Sequence, residues 1–138
     1  MRRAVFLDRD GVLNRAIVRD GKPYPPSTLA DFEVLPGAAV ACEALRQASF
    51  LLIVATNQPD GGRGTQRQDV VEAIHAALRA QIPLDDVRVC YHGEADRCAC
   101  RKPEPGLLVE AARAWQIALT DSFLVGDRGK DIEAVRRA

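Results

Sequence analysis

The amino-acid sequence predicts an α/β fold built on a mostly parallel sheet. Three observations carry this expectation: short apolar or β-branched runs recur along the chain, stretches of helical periodicity separate most of them, and the length suits one such unit rather than two. With 138 residues, 47% of them hydrophobic and 28% charged, the chain can bury one core and stands far from the composition of a disordered segment.

The runs lie at residues 4–7, 50–55, 87–90 and 122–125. Between the first two, a helix is expected to start near Pro36-Gly37 and to bury Ala41, Ala44, Leu45 and Ala48, an i, i+3, i+4, i+7 set, with Glu43, Arg46 and Gln47 on the other face. A second helix opens on the capping box Thr65-x-x-Gln68, buries Val70, Val71, Ile74, Ala77 and Leu78, and stops at Pro83. The third begins at Pro105-Gly106, where a residue without an N–H suits the first turn, and buries Leu108, Ala111, Ala112 and Trp115. After the last run, a helix from Asp131 would place Ile132 and Val135 on one face. No further apolar run follows, so either the sheet manages with four strands or a final strand is absent and an edge is left open.

Several function classes are disfavoured. Nineteen Lys and Arg balance nineteen Asp and Glu, so no overall basic field exists to hold a nucleic-acid backbone or an anionic membrane. The longest apolar stretch, residues 50–55, is far short of the ~20 residues that cross a bilayer. Asp8 cuts the N-terminal apolar run too early for a signal peptide, so a reducing cytoplasm is the expected compartment. A monomer is expected, with a small molecule as its ligand.

In a parallel α/β sheet the ligand sits beyond the carboxyl ends of the strands, so the chemistry belongs in the loops at residues 8–31, 56–64, 91–104 and 126–130. Asp8 and Asp10 leave the first strand two residues apart. Taken alone they could form an Asp-Gly turn with Gly11. A second acidic loop, Gly126-Asp127-Arg128-Gly129-Lys130-Asp131, would build a carboxylate cluster, which repels itself unless a cation occupies it, and hard oxygen ligands suit magnesium. Elsewhere, Cys90, His92, Cys98 and Cys100 form the pattern C-x-H-x5-C-x-C. Three thiolates and one imidazole make a closed tetrahedral set, so a structural zinc is expected rather than a disulfide framework. That loop runs directly into Arg101-Lys102. Cys42 reads as a small apolar residue, and His75 receives no role.

Asp8-x-Asp10-Gly11-Val12-Leu13, then Thr56-Asn57-Gln58, then Arg101-Lys102-Pro103, then Gly126-Asp127-x-x-x-Asp131 resembles, in order, the four motifs of the haloacid dehalogenase superfamily of phosphohydrolases. Within that superfamily, with the cysteine-rich segment before Arg101, the chain is similar to the branch of heptose 1,7-bisphosphate and histidinol-phosphate phosphatases. The resemblance implies a Rossmann-like three-layer sandwich with strand order 3-2-1-4. It also implies a capless site, because residues 14–31 and 64–87 are too few for a folded cap. Under it, Asp8 is the nucleophile, Asp10 the general acid and then base, Thr56 a donor to the phosphoryl group and Lys102 the fixed cation. Asp8, Asp10, Asp127 and Asp131 would surround magnesium. Asn57, Gln58, Arg63 and Arg101 are candidate substrate contacts, the two arginines for a distal phosphate. The activity so implied is magnesium-dependent hydrolysis of a sugar phosphate, with histidinol phosphate as the alternative substrate. From a different class, a zinc-bearing module without activity would also account for a missing last strand.

Overall fold

The computed structural model describes residues 1–58, 68–126 and 129–138. Its main sheet is parallel and consists of β1 (Arg3–Leu7), β4 (Phe50–Asn57), β5 (Asp86–Cys90) and β6 (Phe123–Val125) in the order β5-β4-β1-β6. This is the expected 3-2-1-4 arrangement of the four apolar runs. The winding reverses between β1 and β6, so a crevice opens beyond the carboxyl ends of those strands.

Alternation along the two central strands separates two cores. Ala4 and Phe6 of β1 and Ile53 and Ala55 of β4 point to one face, where Leu107, Leu108 and Ala111 of α3 (Gly106–Trp115) and Ala134 of α4 (Gly129–Arg137) cover them. Val5, Leu7, Leu52 and Val54 point to the other, against Cys42 of α1 (Ala38–Gln47) and Leu78 of α2 (Gln68–Gln81). A sheet buried on both faces needs near-continuous apolar strands, as residues 50–55 supply.

Two local expectations are corrected, and the face of the last helix is resolved. Residues 8–31 are not free of strands: β2 (Ile17–Arg19) and β3 (Lys22–Tyr24) pair antiparallel around Asp20-Gly21. Both turn residues have positive φ, 50° and 75°, as a two-residue hairpin turn requires. On α1, Ala41, Ala44 and Ala48 are exposed, and the inward stripe is Ala38, Cys42 and Leu45. Alanine marks either face of a helix, so the larger Cys42 and Leu45 set its phase. On α4, Ile132 and Val135 are 59% and 46% exposed, while Asp131 and Ala134 turn inward. Ile132 and Val135 thus share the outward face, and Asp131 on the inward one is ion-paired with Lys102. The second helix packs through Val71, Ile74 and Leu78 as expected and ends before Pro83; its proposed cap residue Thr65 lies outside the described residues.

Candidate active site

The carboxyl ends of β1 and β4 converge on a cavity of about 140 Å³. Asp8 and Asp10 line it from the first loop, Thr56 from β4, Arg101 and Lys102 from the loop after β5, and Asp131 from α4. Four segments far apart in sequence thus meet at one point, because parallel strands carry all their exits to the same edge of the sheet. Pro23, Tyr24 and Pro25 of the hairpin wall the outer side.

Lys102 is the electrostatic centre. Its ammonium lies 3.2 Å from Asp8 Oδ1 and 2.5 Å from Asp131 Oδ1, with side chains 5%, 12% and 2% exposed respectively. One buried cation therefore joins the expected nucleophile to the acid of α4. Burial raises the Asp8 carboxyl above its ordinary range; Lys102 pulls it back down and the Asp131 charge pushes it up again. Gly126 belongs to the same arrangement, since a β-carbon there would overlap the Asp131 carboxylate.

The loop that carries Lys102 is held from below by β4. Asn57 Oδ1 accepts the Lys102 N–H at 3.0 Å and its Nδ2 donates to the Lys102 carbonyl at 3.2 Å. The amide of Asn57, expected to touch substrate, is thus engaged with the backbone of the lysine. Gln58, which lines the cavity as Asn57 does, is likewise engaged with protein groups. It is 1% exposed, and its Nε2 donates to Asp10 Oδ2 and Thr56 Oγ1, both at 3.0 Å. A hydroxyl that accepts from Gln58 keeps its own proton to give, which suits Thr56 to an anionic ligand.

Asp10 is enclosed by donors. Asn14 Nδ2 and Arg9 Nε reach Oδ1 at 3.0 Å, and Arg9 Nη2 reaches Oδ2 at 3.2 Å beside the amide of Gln58. Arg9 is wholly buried, and its Nη1 lies 2.9 Å from Nε2 of the buried His75. Neither Arg9 nor His75 stood out in the sequence, because an arginine between two aspartates reads as a surface charge until its partner 66 positions away is known. Arg63 and Asp127, a distal-phosphate and a metal candidate, lie outside the described residues.

The Cys90, His92, Cys98 and Cys100 ligand atoms all lie within 4.8 Å of one another. Four of their separations, between 3.4 and 3.6 Å, are near the edges of a tetrahedron around one metal; Cys90 and Cys100 stand closer, at 2.7 Å. Burial and its neighbouring thiols push the Cys100 thiol up. For Cys98, burial is outweighed by the Arg101 N–H and the adjacent thiols, which bring it to about 7. Crowded sulfurs of this kind are suited to a cation, and the group could hold a metal. It adjoins the cavity: Cys98 Sγ accepts the Arg101 N–H at 3.3 Å, and Arg101 Nη1 donates to the His92 carbonyl at 3.3 Å.

Comparison with known proteins bears on this geometry. A family model described as haloacid dehalogenase-like hydrolase matches residues 15–138. The chain belongs to the haloacid dehalogenase-like hydrolases. It is 35% identical to the D-glycero-beta-D-manno-heptose-1,7-bisphosphate 7-phosphatase of Rhodopseudomonas palustris, over 99% of this chain and 79% of that protein. It is 40% identical to the D-glycero-alpha-D-manno-heptose-1,7-bisphosphate 7-phosphatase of Mycobacterium bovis, over 94% of this chain and 69% of the relative. Among solved structures, the D,D-heptose 1,7-bisphosphate phosphatase of B. bronchiseptica, complexed with magnesium and phosphate, superposes with a TM-score of 0.82. That match has 34% identity and covers 96% of this chain and 74% of the other.

Proposed function

We propose that the chain, as a single hydrolase domain, is a magnesium-dependent phosphatase that removes the 7-phosphate of a D-glycero-D-manno-heptose 1,7-bisphosphate. The observation that carries the reading is Lys102 fixed between Asp8 and Asp131 at the mouth of β1, beside an Asp10 that hydrogen bonds orient. The relatives named above are heptose bisphosphate phosphatases, which favours that substrate over histidinol phosphate. Both anomers occur among those relatives, so the reading names neither.

In the proposed reaction an Asp8 oxygen attacks phosphorus and the sugar oxygen leaves, giving an aspartyl phosphate. Asp10 delivers a proton to the departing oxygen and then withdraws one from the water that cleaves the acyl phosphate, restoring Asp8. Lys102 and the Thr56 hydroxyl stabilise charge on the transferring group. The donor set suits magnesium: Asp8, the Asp10 backbone carbonyl and Asp127 would hold it, with Asp131 at hand through Lys102, and when bound it would offset phosphoryl charge. Arg101 borders the cavity and an adjoining cleft that Arg97 and Lys130 also line, a suitable place for the distal phosphate. The Cys/His group would hold a structural zinc that sets the course of the loop into Lys102. Free thiols at such a site suit a reducing compartment, the cytoplasm.

The test is phosphate release from both heptose bisphosphate anomers and from histidinol phosphate, with and without magnesium. The expected result is magnesium-dependent release, fastest from a heptose bisphosphate, that falls to background in Asp8→Asn. Equal release by the parent and Asp8→Asn would overturn the mechanism, and faster turnover of histidinol phosphate would overturn the substrate.

A further inference from the structure

Arg9 is fully buried and is not among the residues that line the cavity, and His75, 7% exposed, sits behind it on α2. An arginine can only donate, so the 2.9 Å contact from Nη1 requires His75 Nε2 to be the acceptor and places the imidazole proton on Nδ1. On its other side the guanidinium meets Asp10 through Nε and Nη2, at 3.0 and 3.2 Å. A planar fork held at three nitrogens cannot rotate about its last torsions, and a carboxylate gripped by two of them shares that orientation.

From this we propose that His75 is a positioning residue: by accepting one N–H of Arg9 it fixes the guanidinium, and through it aims the Asp10 carboxylate at the oxygen that receives its proton. The proposal rests on the reading of Asp10 as acid and base. Charge explains why a histidine serves here. A carboxylate at position 75 would compete with Asp10 for the arginine, and an apolar residue would leave a buried N–H without an acceptor. A neutral imidazole satisfies the donor and leaves the whole positive charge to Asp10. Burial and the Arg9 charge both keep the ring neutral, against the weaker pull of Asp10.

Leaving-group dependence separates this role from general support of the fold. An alkyl phosphate needs a proton on its departing oxygen, whereas p-nitrophenol leaves as its anion, so kcat/KM for p-nitrophenyl phosphate is insensitive to an ill-placed acid. In His75→Leu, kcat/KM for the heptose bisphosphate should fall on the order of 100-fold while that for p-nitrophenyl phosphate stays within about threefold. His75→Gln, whose Oε1 can accept the same N–H, should recover most of the loss. Equal losses on both esters, or none, would overturn the proposal, as would a glutamine variant no better than leucine. Two controls isolate the underlying reading: a parent without magnesium-dependent turnover, or an active Asp8→Asn, refutes the phosphatase reading itself and this proposal with it. Should the leucine variant fail to fold, long-range 1H–15N spectra of the parent as purified, with its metals retained, at pH 7 decide. A neutral ring protonated on Nδ1 supports the assignment, and one protonated on Nε2 refutes it.

Discussion

Replacing Lys102 with methionine keeps the volume of the side chain and removes its charge. Asp8 and Asp131, 12% and 2% exposed, then face each other without their shared cation. Removing one partner of a buried ion pair costs ~3–5 kcal/mol, a large share of the ~5–15 kcal/mol that holds a domain together. The pH dependence has a definite sign. Asp8 is raised by burial and by Asp131, and Lys102 is the main opponent of that rise, ahead of the Arg9 backbone N–H, so in the variant it lies higher still. A carboxyl raised above its unfolded value contributes stability that is fully present below that value and lost as pH rises through the native one. The penalty of Lys102→Met should therefore be largest at pH 7.5 and shrink as Asp8 takes up a proton in acid. Urea unfolding of parent and variant in chelator, at pH 7.5 and again at pH 5, measures this. A loss under about 1 kcal/mol at pH 7.5, or one that grows toward pH 5, would refute the description of Lys102 as the fixed counter-charge.

Other outcomes follow from neighbouring contacts. Gly126→Ala drives a β-carbon into the Asp131 carboxylate and so displaces Lys102; overpacking of this kind costs about 1–3 kcal/mol, and turnover should fall much further than thermal stability does. Stripping metal from the Cys90, His92, Cys98 and Cys100 group with a thiol-competent chelator should release about one zinc per chain and lower activity that added magnesium alone does not restore. Burial and Arg9 hold the His75 imidazole at about 4, below its ordinary 6.5, so its contribution is complete above 6.5 and lost as pH falls through 4. That gap is worth roughly 3 kcal/mol, and unfolding titrations from pH 7 to 4 should show a shallower loss for His75→Leu than for the parent.

The fold was legible wherever apolar periodicity is dense. β4 is apolar over residues 50–55 and can only be central, and Val71, Ile74 and Leu78 leave α2 a single inward face. Weaker patterns misled. The alanines of α1 fit either phase, and the Asp20-Gly21 turn was present as a signal but β2 and β3 are only three residues each. The site was readable as a set of residues converging on one cavity, since Asp8, Asp10, Thr56, Lys102 and Asp131 all line it. Its wiring was not. Whether Asn57 faces a ligand or grips the Lys102 backbone depends on a loop 45 positions away, and no local pattern encodes that distance. Arg9 and His75 are the extreme case, two buried polar residues that meet across 66 positions while Asp10 takes the other side of the guanidinium.

The hairpin of β2 and β3 has a consequence for selectivity. The space that Pro23, Tyr24 and Pro25 help enclose, about 140 Å³, is less than half of the smallest pockets that engulf a drug-sized ligand, ~300 Å³. It admits a phosphoryl group and the first atoms of its alcohol, and the rest of a sugar bisphosphate must project over the rim. Chemistry and discrimination are thereby assigned to different parts of the molecule, a floor of strand ends and a border of loops. Exchanging Tyr24 or the residues around Arg101 could then redirect such a hydrolase toward another phosphate ester while the floor stays as it is.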